Sequence, residues 1–547
     1  MRTRELAITR ALVATCLILL VASGSHAQSP NQSTCSISGT VVDAITNQPL
    51  RGASATIRGP MGSGGGALKS DSTVSDAEGR FSFTSLAPGR YMISATHAGY
   101  VNQGPGGGGP RSRTVLVGPG QNVDDFTVAL SPGSVIAGHI TDAASKPLGG
   151  VTVQVLKRRY QSGGTGLSEV STAQSNKDGE YHIGSLMPGK YYLRAMFSEP
   201  PPPKPGSDLA YVPTYYPGTS DLTSTVPLIL SPGEQLAGMD LTLKRQHTFT
   251  VRGRVADAFT KLPAPESELN FAPTEGNTGT SPYHATGDAK GNFELRGIPA
   301  GDYTIIAQQS SDSDTSGTKS GRKSIHLEDA NLNGVEVLVA RGVDVSGRIR
   351  VEGKAIVDLS QMTGTLEPTD NAAVESSDDL ENASVKVDGS FAFRDVPEGS
   401  YRINFSPIPP GLFMKADAGE SSITVTRGQA LRGLDLVLSS GVARVEGTAL
   451  DGQDPAAGAA IILVPGAGRR GQPRFYKRAV ADRQGRFSMQ GVIPGDYQIF
   501  AFEEMQRGFF STFMDPDFLA EYEGRGKEVS LKEGETQSVQ LDVISSE

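Results

Sequence analysis

The sequence predicts an all-β protein built from five tandem β-sandwich modules of about seven strands each, following a cleaved export leader. Three observations carry this. Gly is abundant at 66 of 547 residues, with 34 Pro, while hydrophobic residues stay at 37%, so the chain has many turns but an ordinary supply of core. Apolar residues alternate with polar ones over short stretches, which is the period of a half-buried strand. One motif returns five times at nearly even spacing, the mark of a repeat architecture.

The leader comes first. Arg2, Arg4 and Arg10 precede the apolar run 11–22, and Ser25-His26-Ala27 offers small residues for a cut before Gln28. This is a signal-peptide pattern, so residues 1–27 lie outside the fold and the mature chain is expected to be exported to the periplasm, the cell surface or the medium. The run is shorter than the ~20 residues of a membrane span, and no transmembrane segment is expected. Losing three Arg and one Glu takes the formal charge from −9 to −11, an acidic balance that argues against nucleic-acid partners. Cys16 leaves with the leader and Cys35 stands alone, so no intrachain disulfide can form. The residues before it, Gln32-Ser33-Thr34, do not form a lipidation signal.

The repeated motif opens with an Asp-rich turn and closes with alternating apolar residues. Its first copy carries Gly79, Phe81, Phe83, Leu86, Pro88, Gly89, Tyr91, Ile93 and Ala95. The other copies place Gly179 and Gly189, Gly291 and Gly301, Gly389 and Gly399, and Gly485 and Gly495 at the two turn positions, with Tyr191, Tyr303, Tyr401 and Tyr497 two residues after the second. Successive first glycines are 100, 112, 98 and 96 residues apart. Each copy reads as a hairpin. Both glycines suit positive φ, and Pro88-Gly89 fits the central positions of a type II turn. Asp76 and Glu78 could be paired catalytic carboxylates, but their counterparts include Asn176, Lys290 and Gln484, so turn chemistry is the better reading.

Each repeat begins with an alternating strand centred on a Gly: Gly39, Gly138, Gly253, Gly347 and Gly447. Each ends with two more strands around a Gly turn. The resulting divisions are residues 35–131, 132–246, 247–342, 343–441 and 442–547, called modules 1 to 5 below. Module 4 is the divergent one, over Ala355–Glu381.

The Gly39-Thr-Val41-Val42-Asp43 opening, the Asp-x-x-Gly-x-Phe turn and the Pro-Gly-x-Tyr-x-Ile hairpin resemble carboxypeptidase regulatory-like domains. The resemblance implies a prealbumin-like, Ig-like sandwich related to collagen-adhesin B-type and starch-binding-like modules. It implies no peptidase, because the family takes its name from a domain that accompanies one.

No catalytic constellation is visible. The seven His are scattered, with no zinc spacing. There is no Gly-x-Ser-x-Gly elbow and no phosphate-binding loop. No enzyme activity, cofactor or metal is therefore expected. The opening strands offer Thr40, His139 and Arg254 beside the central Gly, not the Lys that an isopeptide crosslink of adhesin type would need.

What varies between repeats is the connection between the fifth and sixth strands. In module 2 it holds Pro200–Pro203, Tyr211, Tyr215 and Tyr216; in module 5, Phe509, Phe510 and Phe513. A short helix should follow, with Asp515 as N-cap, Pro516 at its first position and Gly524 closing it. These aromatic residues are the candidate ligand contacts. The tyrosines could stack on sugar rings, or pack against the sandwich edge or a neighbouring module. Strand parity places the module 2 loop at the junction with module 3 and leaves the module 5 loop at a free pole. The expected function is a non-catalytic scaffold and interaction protein of the cell surface or periplasm, with a polysaccharide or another surface protein as partner. The alternatives are a polysaccharide-binding protein and, by resemblance alone, a peptidase accessory.

Overall fold

The computed structural model describes residues 35–61, 69–101, 113–161, 164–197, 209–274, 281, 283–310, 318–352, 357–369, 382–415, 422–503 and 513–544. The leader, Pro200–Pro203, Phe509 and Phe510 lie outside them. By its contacts the chain divides into two compact units, one closing at Ser131 and the other running from Pro132 to Glu547.

In the first unit, strand Cys35–Asp43 buries every second side chain, because its alternating sequence points Ile37 and Val41 to one face. It pairs antiparallel with Arg80–Leu86 and parallel with Asn122–Pro132. A second sheet, ordered Ser70–Val74, Ser54–Met61, Gly89–Thr96, Arg113–Val117, closes the sandwich over a core that includes Ile37, Phe81, Phe83, Tyr91, Ile93 and Leu130.

The second unit holds four further main cores, spanning Ile136–Leu243, Val251–Val339, Val345–Leu438 and Ala443–Leu541. Each repeats the parallel pairing of its opening strand with its closing one. In the cores of modules 3 and 5 the two sheets are joined by hydrogen bonds, through Lys319↔Arg341 and Ala501↔Val543.

Three devices recur in all five repeats. The first is the close approach at the central Gly of the opening strand. A Cβ on Gly39, Gly138, Gly253, Gly347 or Gly447 would lie 1.8–2.4 Å from a carbonyl oxygen of the closing segment. The second is the first motif glycine. Gly79, Gly179, Gly291, Gly389 and Gly485 adopt φ of +70° to +82°, and their carbonyls accept from Val41, Ile140, Val255, Ile349 and Ala449 N–H at 2.7–2.8 Å. In four of the five the side chain before the turn completes it: Asp76, Asn176, Asp288 and Asp482 each accept two N–H groups from the following four residues, an Asx-turn arrangement, while module 4 has Lys386 at this place.

The third device is a tyrosine latch. Tyr91, Tyr191, Tyr303, Tyr401 and Tyr497 each donate their hydroxyl to the carbonyl four residues earlier, at 2.6–3.1 Å. The ring fills the core while its polar tip is satisfied. The second motif glycine differs from a type II turn. Gly89, Gly189, Gly301 and Gly495 sit at φ +147° to +156°, and Gly399 lies outside the left-handed region, whereas type II needs about +80°. The Pro-Gly pair therefore starts the second strand of the hairpin directly.

Acid sensitivity follows from one of the opening turns. Asp257 accepts the N–H of Phe259 and Thr260 and pairs with Lys319 at 2.7 Å. The Lys319 ammonium, then the Thr260 N–H, hold this carboxyl well below the usual carboxylate range. A carboxyl depressed by folding stabilises above its unfolded pKa of about 3.9 and loses that contribution as pH falls toward its folded value. Asp257→Asn should therefore cost most between about pH 5 and 8, and the stability gap to wild type should shrink below about pH 4. Denaturant titrations across this range check it; a gap independent of pH would contradict the ion pair.

Candidate functional site

Module 2 carries a second buried face beside its main core, and only Tyr215 of the candidate aromatics lies in it. Strand Thr152–Gln161 pairs with Gly189–Met196 on one side and Gly164–Gln174 on the other. Strand alternation sends Val151, Val153 and Val155 into the main core and turns Leu156 to the opposite face. Leu156, Leu167, Tyr192 and Tyr215 form a separate buried cluster there. Beside it runs a polar row, buried at Gln154 and Arg194 and exposed at Glu169. Arg194 Nε donates to Gln154 Oε1 at 2.8 Å, and the Gln154 amide donates to Glu169.

The three tyrosines do not form an open stacking platform. Tyr215 is 6% exposed, paired with Arg194 in the sheet and lying under its guanidinium. Tyr216 packs against the main core of module 2. Tyr211 is half-buried between Phe197 and Arg245, in a strand that pairs with Arg245–His247. Burial raises the hydroxyl pKa of Tyr283 in module 3, and the Arg194 guanidinium of module 2 partly offsets the rise. The module 2 loop thus meets the start of module 3.

Phe513 is fully buried, in a cluster with Val464, Phe500, Phe502, Leu519 and Ile544 on the outer face of the module 5 sheet. The helix runs Pro516–Leu519, with the Asp515 carboxylate accepting the Asp517 N–H at 3.0 Å. It stops well before Gly524, which sits instead in the 3-10 turn Glu523–Arg525. Phe518 and Tyr522 share one side, with ring centroids 5.0 Å apart.

The expected free pole of module 5 is occupied. Lys157 pairs with Asp515 at 2.8 Å, Arg158 with Asp517 at 3.2 Å and Lys190 with Glu521 at 2.6 Å. Tyr160 packs against the Phe513 cluster, where Arg470 reaches both its hydroxyl and Glu523. Strand parity missed this because it counts strands within a module and carries no information on contacts between distant ones. A usable signal was present: Tyr191-Tyr192-Leu193 and Ile461–Val464 are unbroken apolar runs, and such runs mean strands covered on both faces.

Cys35 is buried, its thiol donating to the Gly118 carbonyl at 3.0 Å. Alkylation of native protein should therefore be slow and should accelerate only under conditions that unfold the first unit. Fast labelling without unfolding would contradict this placement. Among the described residues no group of His, Cys, Asp and Glu is placed to hold a metal ion, and no helix is long and apolar enough to cross a membrane.

Taken together, these features define an all-β protein of tandem sandwich modules whose polar side chains serve turns and contacts between modules. Within it, residues 36–131 match the family model of the carboxypeptidase regulatory-like domain. Solved structures with matching segments include the Bacillus anthracis TIE protein, at 14% identity over 56% of this chain and 51% of that one, TM-score 0.17. The chain spans about half the length of that protein. The minor pilin GBS52 of Streptococcus agalactiae matches at 12% identity over 39% of this chain and 96% of its own, TM-score 0.23. The major pilin subunit BcpA of Bacillus cereus matches at 12% over 56% and 100%, TM-score 0.16. No curated protein matches.

Proposed function

We propose that the chain is a non-catalytic exported scaffold, whose consecutive modules 3, 4 and 5 are held in fixed relation so that they present surfaces to another protein of the cell envelope. The observation that supports this best is the way its modules are joined. Strand Leu332–Arg341 is followed after a single residue by Val343–Val351. That residue, Gly342, has so little room that a Cβ would lie 2.2 Å from the Asp395 carbonyl. At the next joint Ser439 and Gly441 bond to Glu533 and Gly534, and Lys415 bridges Glu352 and Glu533 at 2.8 and 2.9 Å.

Two readouts test this. The N-terminus of the mature chain should begin at Gln28 in an exported fraction. Deleting the chain from its source should remove particular proteins from the surface fraction, and restoring it should return them. An uncut leader in the cytosol, or turnover of peptide, ester or glycoside substrates by the pure protein, would overturn the reading.

A further inference from the structure

The contact between modules 2 and 5 joins residues more than 300 positions apart, and its chemistry is sorted by side. Module 2 contributes only cations to the ion pairs: Lys157 and Arg158 from strand Thr152–Gln161 and Lys190 from strand Gly189–Met196. Module 5 answers with Asp515, Asp517 and Glu521, arranged along seven residues that begin at the helix N-cap. Behind the charges lie rings. Lys157 sits over Tyr191 and Arg158 over Tyr192, while Tyr160, Phe518 and Tyr522 line the Phe513 cluster. Charge provides register and the aromatic rings provide buried area, which is the division of labour of a specific docking surface.

The contact is matched but not fully satisfied. The second carboxylate oxygen of Asp517 is buried without a hydrogen-bond partner, a costly arrangement for a charged group. Lys190 and Glu521, by contrast, meet near solvent, at 31% and 54% exposure, where salt screens them. An interface with one uncompensated buried oxygen and one screened pair is poised for release.

We propose that the 515–523 segment is a releasable strap, a ligand in cis for the basic, aromatic edge of module 2, which holds module 5 against module 2 and keeps Tyr160 of module 2 packed on the cluster that its own Phe518 and Tyr522 line. The strap stands or falls separately from the scaffold reading, because its test needs neither a partner protein nor export.

Zero-length carbodiimide coupling of the full mature chain provides the test. It joins a Lys amine to a carboxylate only at ion-pair distance. Peptide mapping at low salt should find Lys157–Asp515 and Lys190–Glu521 links beside Lys415–Glu352, a 2.8 Å pair within module 4 that serves as control. In an equal mixture of labelled and unlabelled protein, both strap links should join peptides of the same label. Arg158→Glu faces Asp517 with a like charge and should reduce both strap links about tenfold. The reversal pair Arg158→Glu with Asp517→Arg should restore them. In about 1 M salt, where screening acts over about 3 Å, the Lys190–Glu521 link should fall before the more buried Lys157–Asp515 link. Control links without strap links, strap links only between differently labelled chains, or strap links indifferent to Arg158→Glu would each overturn the proposal.

Discussion

Gly39→Ala should abolish the calorimetric transition of the first unit while leaving that of residues 132–547 in place. The opening strand Cys35–Asp43 runs parallel to Asn122–Pro132, and the pairing shifts register between Ile37 and Gly39. This shift drives the Phe126 carbonyl against the Gly39 α-carbon. A methyl group there would lie 1.8 Å from that oxygen and 2.8 Å from the Phe81 ring. Neither neighbour can retreat, since the oxygen belongs to a paired strand and the ring is buried in the core. Steric insertions of this kind into paired backbone exceed the usual 0.5–3 kcal/mol of a point substitution, and 4 kcal/mol or more, as an order of magnitude, rivals the stability of a ~100-residue domain. Gly99→Ala is the control. It stands at φ +79° with nothing within 4 Å of the added carbon, so only backbone strain of about 1–2 kcal/mol applies. Equal melting losses for the two variants would refute the close-approach argument.

The division between what the residues disclosed and what they concealed is physical. Alternation in segments such as Arg-Phe81-Ser-Phe83 depends only on the two-residue period of a strand, so the all-β class and the repeated hairpins were legible. The functional side chains depend on register. Ser85, Ser185 and Asp395 take left-handed φ of +52° to +59°, where the other two repeats have Gly297 and Gly491. Each forms a bulge that returns Leu86, Leu186 or Val396 to the core side. Nothing in a lone Ser or Asp announces this conformation. The burial of Tyr215 was likewise hidden, because it depends on Leu156, Leu167 and Tyr192, distant in sequence, gathering on the outer face of the module 2 sheet. The unbroken apolar runs were the available clue, and alternation within single modules obscured it.

The clearest test of that outer face is Phe513→Ala. Phe513 is 0% exposed and its ring lies 5.1 Å from Phe502 and 5.4 Å from Phe518, centroid to centroid. It therefore connects the sheet of module 5 to the segment that carries Asp515, Asp517 and Glu521. Truncation to Ala removes a fully buried ring and leaves a cavity, which costs about 3–5 kcal/mol where the surroundings cannot collapse. The loss should be local. The main core of module 5, built on the opposite face from Val445, Ile461, Phe487 and Ile499, does not include Phe513. Hydrogen exchange followed by mass spectrometry should show residues 513–525 opening by two or more orders of magnitude, since about 1.4 kcal/mol corresponds to tenfold. Peptides of strand Arg486–Val492 should keep their protection. The Lys157–Asp515 and Lys190–Glu521 carbodiimide links should weaken together with the protection of 513–525, because the acidic groups can meet module 2 only while the ring beneath them holds the segment. Uniform loss across module 5 would mean that its two faces form one cooperative core. Unchanged links would mean that the ion pairs seat the segment without the aromatic cluster.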